Sequence, residues 1–287
     1  MTPAEEAQLA DVARAYCVVK GVRFCGLAGT GAFKAAYRIE NTDGRAIALK
    51  VYLPGAVTDR AVREIEALQK LSALGNPALP SFISLEGLTL GGIQYWVSAE
   101  EFIEGGSLSS FAARNGLLSR DQVIALATPL CSALSDVAAS SLVHRDVKPD
   151  NIVLRADGSP VLVDFGLVRN LAQHSLTQTW LPQGPGTPIF ASPEQLTNDK
   201  DLIGWRTDQF SLGVSLSFVG FGNHPYAHAG DAPDAVVARV SARQPLSPDF
   251  TRWANGIGLT PIIRMVAPWP VGRYRLPRDL REAWATL

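Results

Sequence analysis

The spacing of hydrophobic and polar positions changes along the chain, and the change divides it into two parts. Between residues 24 and 53, short apolar and β-branched runs are separated by polar turns, which predicts three antiparallel strands joined by hairpins. Two further strands are predicted at 82–89 and 93–99. Beyond residue 108 the apolar residues recur every three or four positions, which is typical of helices.

Two helices are expected within the strand-rich part. Residues 4–20 have amphipathic spacing, so we expect a satellite helix that packs on the sheet. Its apolar side carries Leu9, Val12, Ala13 and Tyr16. A second helix is expected at 58–74, where apolar residues recur every three positions until a Gly-Asn-Pro sequence ends the helix. Those apolar residues are Val62, Ile65, Leu68 and Leu71.

The second part is predicted to be mostly helical. The glycine pair in EGGSL, at 104–108, marks the expected boundary between the parts. A small antiparallel sheet with one main helix, followed by a run of helices, is typical of an α+β chain. The helices are predicted at 119–140, 205–221, 232–242, 259–267 and 277–286.

Composition narrows the class of protein. Hydrophobic residues make up 47% of the chain and charged residues 18%, which indicates a globular chain with a large core. The formal net charge of −1 gives no electrostatic reason to expect a nucleic-acid partner. The three cysteines, at 17, 25 and 131, form no CxxC pair, so we expect neither a disulfide framework nor a zinc site.

The sequence also predicts a cytoplasmic location. The first residues carry Glu5, Glu6 and Asp11 and lack a basic region followed by an apolar one, which argues against a signal peptide. The longest apolar run, near 212–222, is too short to span a bilayer and is expected to form a buried helix. No membrane segment is therefore expected.

Candidate chemistry is concentrated in two motifs, VHRDVKPDN at 143–151 and DFG at 164–166. Asp146 supplies a carboxylate that can accept a hydroxyl proton, and Lys148 a cation beside a moving phosphoryl group. Asn151 and Asp164 offer hard oxygen donors, which suit magnesium. Together these residues indicate phosphoryl transfer.

With these motifs the chain resembles the eukaryote-like (Hanks-type) protein kinases, and the Ser/Thr type because Lys148 follows Asp146 by two. Further matching segments occur in the order of the family. They are IALKVY at 47–52, EGGSL at 104–108, GTPIFASPEQL at 186–196 and TDQFSLGV at 207–214. The DFG motif and the segment with threonines in TxT spacing that follows it suggest a bacterial source.

The resemblance implies a bilobal protein-kinase fold, with one kinase domain over residues 1–287. The N-lobe is expected at about 1–103, as an antiparallel sheet with one main helix. The C-lobe is expected at about 104–287 and is mostly helical.

The resemblance places the ATP phosphates near the loop LAGTGAFKAAY and the strand AIALKVY. Gly29 and Gly31 would let backbone N–H groups approach phosphate oxygens. Lys50, between apolar residues, needs an anionic partner, which the ATP phosphates would supply. Glu64 is the best match to the helix carboxylate that pairs with this lysine, and Glu66 is the alternative.

The chain departs from the family pattern at three positions of its strand-rich part, one of which is Ala36 in place of a valine. Lys34 replaces the third glycine of GxGxxG; in the with-no-lysine kinases a lysine at this loop position contacts phosphate, so Lys34 is expected to be an auxiliary phosphate ligand or to face solvent. Glu100 falls at the gatekeeper position, so either a cation lies nearby or the register is off by one. The backbone of Glu101 and Ile103 is then expected at the adenine edge.

The resemblance also assigns the catalytic roles. Asp146 is the expected base, Lys148 steadies the transferred phosphoryl group, and Asn151 and Asp164 bind Mg²⁺, with Mn²⁺ as the alternative ion. Thr187 is expected to contact the catalytic aspartate and lysine. Architectural roles are expected for His144, Asp208 and the pair Glu194 and Arg273.

Regulation is expected in the segment that ends at Glu194. It resembles segments in which a threonine pair in TxT spacing is autophosphorylated, which makes Thr177 and Thr179 the candidates. A phosphate there would pair with Arg145, and a transient homodimer would serve the autophosphorylation. A polar loop without such regulation is the alternative.

The expected function is that of an ATP-dependent protein Ser/Thr kinase acting on an unidentified protein hydroxyl. One alternative is a nucleotide-binding pseudokinase or scaffold, which Lys34, Ala36 and Glu100 suggest. A small-molecule kinase of the aminoglycoside type is a second alternative, against which Lys148 and Asp208 argue.

Overall fold

The computed structural model describes residues 1–31, 33–54, 59–165, 169–170 and 187–287. Side chains are described for all of these except residues 59–61, 63, 64, 169, 170 and 187. The chain forms two compact units. Unit 1 comprises Met1–Gly75 and Pro80–Ile103, and unit 2 comprises Asn76–Leu79 and Glu104–Leu287.

Unit 1 contains a five-stranded antiparallel sheet in the order β1-β2-β3-β5-β4. All five strands were predicted from the spacing of apolar residues. Their bounds are Arg23–Thr30 (β1), Lys34–Glu40 (β2), Ala46–Tyr52 (β3), Phe82–Leu90 (β4) and Ile93–Glu101 (β5).

Helix α1, Pro3–Lys20, begins at a capping box in which Thr2 and Glu5 bond each other's backbone N–H, a device that satisfies N–H groups at a helix start. The four residues expected on its apolar side are all buried, and Leu9, Val12 and Ala13 have no exposed surface. They pack with sheet residues such as Tyr37, Leu49 and Val97 in one core. The helix is therefore part of the core of unit 1, more than the satellite that we expected.

Helix α2, Asp59–Ser72, buries Ile65, Leu68 and Leu71 but leaves Val62 43% exposed. The expectation that Val62 shares the buried side was therefore wrong. Each step of three residues falls about 60° short of a full helical turn, so Val62 and Leu71 point in opposite directions. The buried side of α2 is therefore the side that carries Ile65, Leu68 and Leu71.

Unit 2 is mostly helical, as expected for an α+β chain. Its helices are Leu108–Asn115 (α3), Arg120–Ala139 (α4), Pro193–Leu196 (α5), Trp205–Gly220 (α6), Pro233–Ser241 (α7), Pro248–Gly256 (α8), Thr260–Met265 (α9) and Pro277–Ala285 (α10). Helices α3, α5 and α8 were not predicted. Helix α3 buries only Leu108, so no apolar period marks it.

Short strands flank the polar loop at residues 144–151 in unit 2. They are Leu142–Val143 (β6), Ile152–Leu154 (β7), Pro160–Leu162 (β8) and Arg169–Asn170 (β9), paired as β6-β9 and β7-β8. A Cβ on Gly105 would clash with the backbone oxygen of Leu154, to which Gly105 N donates at 2.8 Å. The expected boundary glycine is thus required by close packing on β7.

Most of the apolar run near 212–222 lies in α6, which is almost entirely buried, as expected. Among the described helices, α4 alone has the length and composition of a membrane span, and half of its apolar window is buried in the fold. It packs against α6 and α10, so its apolar side has partners within unit 2.

Candidate active site

Lys50 lies on β3 with a side chain that is 9% exposed, and its Nζ lies 2.5 Å from Oε1 of Glu100 on β5. β3 and β5 are antiparallel neighbours in which Lys50 pairs with Ser98 and Ala48 with Glu100. Directly paired residues share a face of a sheet, as do residues two apart on a strand. Lys50 and Glu100 are therefore diagonal neighbours on one face.

This pair answers the question that the sequence left open at Glu100. A buried carboxylate needs a compensating charge or a proton, and the structure places the Lys50 ammonium beside it. The nearby cation is thus present. Of the two helix carboxylates considered as partners of Lys50, Glu66 is exposed, while the side chain of Glu64 lies outside the described residues.

Lys34 begins β2 and pairs across the strands with Tyr52. Its Nζ lies 5.9 Å from the centre of the Tyr52 ring. Because Tyr52 is two residues from Lys50 on β3, Lys34 and Lys50 lie on the same face of the sheet. Both cations are thus presented to one side of unit 1.

Gly29 and Gly31 lie where β1 turns towards β2. Neither has a positive φ, and a Cβ at Gly29 would meet no protein atom within 4 Å. The packing of unit 1 alone therefore does not require glycine at 29. The N–H of Gly31 donates to Lys34 O at 2.9 Å, which closes the turn.

The residues expected at the adenine edge, Glu101 and Ile103, lie at the C-terminal end of unit 1. Glu101 N donates to Ser81 O at 2.8 Å, so that N–H is engaged within unit 1. Ile103 is 9% exposed. Side chains contribute little to such an edge, which is why sequence alone carries little information about it.

In unit 2, the loop after β6 brings Asp146, Lys148 and Asn151 together. Lys148 Nζ lies 3.0 and 2.9 Å from the two carboxylate oxygens of Asp146. Asn151 Nδ2 donates to the backbone oxygen and to Oδ2 of Asp146, both at 2.9 Å. A carboxylate with this many charge-assisted bonds is held in one orientation.

Asp208, at the start of α6, anchors the backbone of this loop. Its Oδ2 accepts the N–H of His144 and its Oδ1 that of Arg145, both at 2.8 Å. Burial raises the pKa of Asp208, while the charge of His144 and the two N–H donors act against that rise. Asp208 thus fixes the two residues that precede Asp146.

The DFG segment is joined to the same loop through His144. The His144 ring lies 4.6 Å from the ring of fully buried Phe165, and its Nε2 lies 3.1 Å from Val163 O. Asp164 itself has a φ of 63°, a conformation that non-glycine residues adopt rarely and mostly where the surroundings impose it.

Gln195 on α5 contacts the loop that carries Asp146, a contact that was not predicted from the sequence. Its Nε2 donates to Arg145 O at 2.8 Å, and it is 1% exposed. Together with Asp208 it holds both the N–H and the carbonyl of Arg145. The only available signal was its place in the SPEQL segment, since the contact spans fifty positions of sequence.

Glu194 and Arg273 form an ion pair with no exposed surface on either side chain. Arg273 donates to both carboxylate oxygens of Glu194, at 2.6 and 3.0 Å, and Thr207 Oγ1 donates to Oε1 at 3.0 Å. The pair links α5 to the chain segment just before α10. Glu194 directly precedes Gln195, which contacts the loop.

Of the expected regulatory residues, Arg145 lies within the described part of the chain, and so does the backbone of Thr187, which is expected to contact the catalytic residues. Arg145 is 8% exposed and has a φ of 68°. Thr187 begins a short 3₁₀ helix, Thr187–Phe190, but its side chain lies outside the described residues. Thr177 and Thr179 lie outside them entirely.

The oxygen donors of unit 2 fit magnesium. With its amide nitrogen donating to Asp146, Asn151 keeps its amide oxygen as an acceptor, and Asp164 adds a carboxylate. Mg²⁺ usually takes one or two protein ligands together with substrate phosphates. The described residues contain no cluster of three or more His, Cys, Asp or Glu side chains that could hold a metal.

Comparison with known proteins places this geometry in a family. The protein kinase domain model matches residues 23–255. A probable serine/threonine-protein kinase, PkwA, of Thermomonospora curvata is 31% identical over 77% of this chain and 29% of its own length. The serine/threonine-protein kinase PknB of Mycobacterium leprae is 28% identical over 83% of this chain and 38% of its own.

The serine/threonine-protein kinase AfsK of Streptomyces griseus is 29% identical over 75% of this chain and 26% of its own length. The match to these relatives therefore spans less than two fifths of the length of each. The α+β fold and the family match agree with the resemblance seen in the motifs. The chain belongs to the protein kinase domain family.

Proposed function

We propose that the chain is an ATP-dependent protein serine/threonine kinase, which transfers the γ-phosphoryl group of ATP to a protein hydroxyl. The observation that carries this proposal is the bonded set Asp146, Lys148 and Asn151 on a loop anchored by Asp208. A base, a cation and a metal ligand fixed in one place are what phosphoryl transfer requires. The protein kinases similar to this chain support the same activity.

In this proposal Asp146 accepts the proton of the substrate hydroxyl, and Lys148, bonded to Asp146, steadies the transferred group. Asn151 and Asp164 would hold Mg²⁺, which neutralises the charge of the phosphates when it is bound; Mn²⁺ has the same preference for oxygen ligands. Thr187 would contact Asp146 and Lys148. His144, Asp208, Glu194 and Arg273 support the loop without touching the substrate.

Unit 1 would supply the nucleotide contacts. Lys50 is the primary ligand for the phosphates, with Glu64 as a carboxylate partner, and Lys34 is an auxiliary ligand. The position of Lys34 on the Lys50 face of the sheet supports this role over a solvent-facing lysine. Gly29 and Gly31 let the phosphates approach the backbone, and the backbone of Glu101 and Ile103 binds the adenine edge.

Activation would follow autophosphorylation of Thr177 or Thr179 within a transient homodimer. Arg145, directly before Asp146, would pair with the new phosphate and order the segment. Phosphopeptide mapping of active enzyme tests this step. Active protein that carries phosphate at neither threonine would remove it from the proposal.

We place one kinase domain over residues 1–287 and locate it in the cytoplasm. Cys17, Cys25 and Cys131 are all free thiols, which is typical of a reducing compartment. The partners are ATP and a protein with a Ser or Thr acceptor. The near-neutral net charge supports neither nucleic acid nor an anionic membrane surface as a partner.

The acceptor class is tested by incubating the purified chain with Mg²⁺ and γ-labelled ATP in three mixtures. One contains the chain alone, one a generic protein substrate and one an aminoglycoside. Label found by mass spectrometry on Ser or Thr of protein is the expected result. Label on the aminoglycoside only would indicate a small-molecule kinase, and ATP binding without transfer would indicate a pseudokinase.

A further inference from the structure

We propose that Glu100 is a positioning residue for Lys50, and that its carboxylate holds the lysine ammonium in place for the nucleotide phosphates. The position of Lys50 would then be set by strand β5 as well as by any carboxylate of α2. This inference rests on the proposed kinase function, because it concerns the lysine of the same site. It adds a residue that the family pattern does not supply at this position.

Burial is the first reason. The side chains of Lys50 and Glu100 are 9% and 7% exposed. Two charges removed from water are stable only if they compensate each other, and removing one leaves the other uncompensated. Nζ and Oε1, at 2.5 Å, are close enough for a charge-assisted bond, which is stronger than a bond between neutral groups.

The sheet is the second reason. β3 and β5 pair along five successive residues, from Ile47 with Glu101 to Val51 with Val97. The backbone ladder therefore fixes Lys50 and Glu100 as diagonal neighbours on one face, and the pair forms without any movement of a helix. A lysine held in this way is preorganised before the nucleotide arrives.

The charge of Glu100 predicts an unusual kinetic signature. A carboxylate beside the lysine weakens the attraction of that lysine for phosphate, so its removal should leave nucleotide affinity unchanged or increase it. The same removal frees the ammonium from its fixed position and should slow transfer. A falling kcat with an unweakened affinity is the result of lost positioning, whereas general damage to the fold lowers both.

Three variants test the inference, with kcat measured on magnesium ATP and a generic protein substrate and affinity measured with a fluorescent ATP analogue. Glu100→Gln keeps the size and removes the charge, whereas Glu100→Asp keeps the charge and shortens the side chain. Glu86→Gln is the matched control, because it removes the Lys20–Glu86 pair, also 2.5 Å, from β4 of the same sheet. Glu86 contacts α1 through Tyr16 and not the Lys50 face.

We expect Glu100→Gln to lower kcat by about tenfold or more, the usual effect of losing a bond to a charged group. Glu100→Asp should keep more activity than Glu100→Gln, and Glu86→Gln should match the wild type. Equal kcat in Glu100→Gln and wild type would overturn the inference, as would higher activity in the Gln than in the Asp variant or weakened nucleotide binding. A wild type that transfers no phosphate would overturn the proposed function, and this inference with it.

Discussion

Asp208 accepts the backbone N–H of Arg145 at 2.8 Å, and so fixes the residue that directly precedes Asp146. Arg145 has a φ of 68°, a left-handed conformation that costs a non-glycine residue free energy and persists only where surrounding bonds impose it. The carboxylate on α6 and the amide of Gln195 supply those bonds. The orientation of Asp146 thus depends on a residue that does not touch the reacting groups.

Replacing Asp208 by Asn should therefore damage both stability and turnover. An amide has one acceptor oxygen, so one of the two N–H groups it faces loses its acceptor and meets a donor. The unfolding free energy should fall by about 1–3 kcal/mol, and the transfer rate should fall with it. Urea unfolding and label transfer measure the two effects.

The control is Asp234→Asn, which changes an exposed aspartate in the first turn of α7. Its loss should cost less than about 1 kcal/mol, the usual size of a helix-dipole contribution. Asp208→Asn protein as stable and active as the wild type would contradict the anchoring role.

The buried pair of Glu194 and Arg273 predicts a large loss of stability. Arg273→Met leaves the Glu194 carboxylate without its cation in a position with no exposed surface, which should lower the unfolding free energy by about 3–5 kcal/mol. Arg252→Met removes an ion pair whose side chains are 76% and 66% exposed and should change it by less than about 1 kcal/mol. Similar urea midpoints for the two variants would show that the buried pair adds little.

His224 predicts a fall in stability on acidification. Burial lowers its pKa to about 3 from an ordinary value of 6.5, so below pH 6.5 the unfolded chain binds a proton that the folded chain does not. The contribution of His224 to the free energy of unfolding is complete above pH 6.5. It is lost as the pH falls, by about 1.4 kcal/mol for each pH unit. Between pH 6.5 and pH 5 this amounts to about 2 kcal/mol.

Urea unfolding at several pH values measures this dependence. His224→Asn retains a side-chain acceptor for Tyr226 N, which His224 Nδ1 now accepts at 3.1 Å, and should show a shallower slope than the wild type. His228→Asn, at an exposed position, should keep the wild-type slope. Equal slopes in wild type and His224→Asn would contradict the assignment.

The two cations of unit 1 should differ in their effect. Lys50→Met is expected to lower transfer by about 100-fold or more, because it removes the primary phosphate ligand. Lys34→Met should weaken ATP binding by roughly tenfold, the value of one bond to a charged group. Lys20→Met, on α1, should have no effect on transfer.

Steady-state kinetics on the three lysine variants separates these roles. An inactive Lys34→Met beside an active Lys50→Met would reverse the assignment of primary and auxiliary lysine. A Lys34→Met variant with the kinetics of the wild type would show that Lys34 is a solvent-facing lysine without a role in phosphate binding.

Much of the fold was predictable because its signals are local. The five strands, α1 and the main helices of unit 2 each show their own apolar period. The motifs around Asp146 and Asp164 likewise lie close together in sequence. Helix α3 was missed because it buries a single residue, Leu108, and so shows no apolar period.

The bonds that give the site its geometry were less predictable, because they join distant segments. The partnership of Lys50 and Glu100 depends on the register between β3 and β5, and a shift of one residue would place Glu100 on the other face. Gln195 reaches Arg145 only because α5 packs beside the loop. Glu100 is therefore unusual already from its position in the sequence, but its partner follows only from the fold.

The most direct test of the proposed kinase activity compares wild type with Asp146→Asn, measuring phosphate transfer and magnesium-ATP affinity on the same preparations. Asp146 acts on the hydroxyl and not on the nucleotide, so Asp146→Asn should bind magnesium ATP as the wild type does but transfer phosphate slower by about 100-fold or more. Equal transfer by the two proteins, or ATP binding without any transfer by the wild type, would contradict the account.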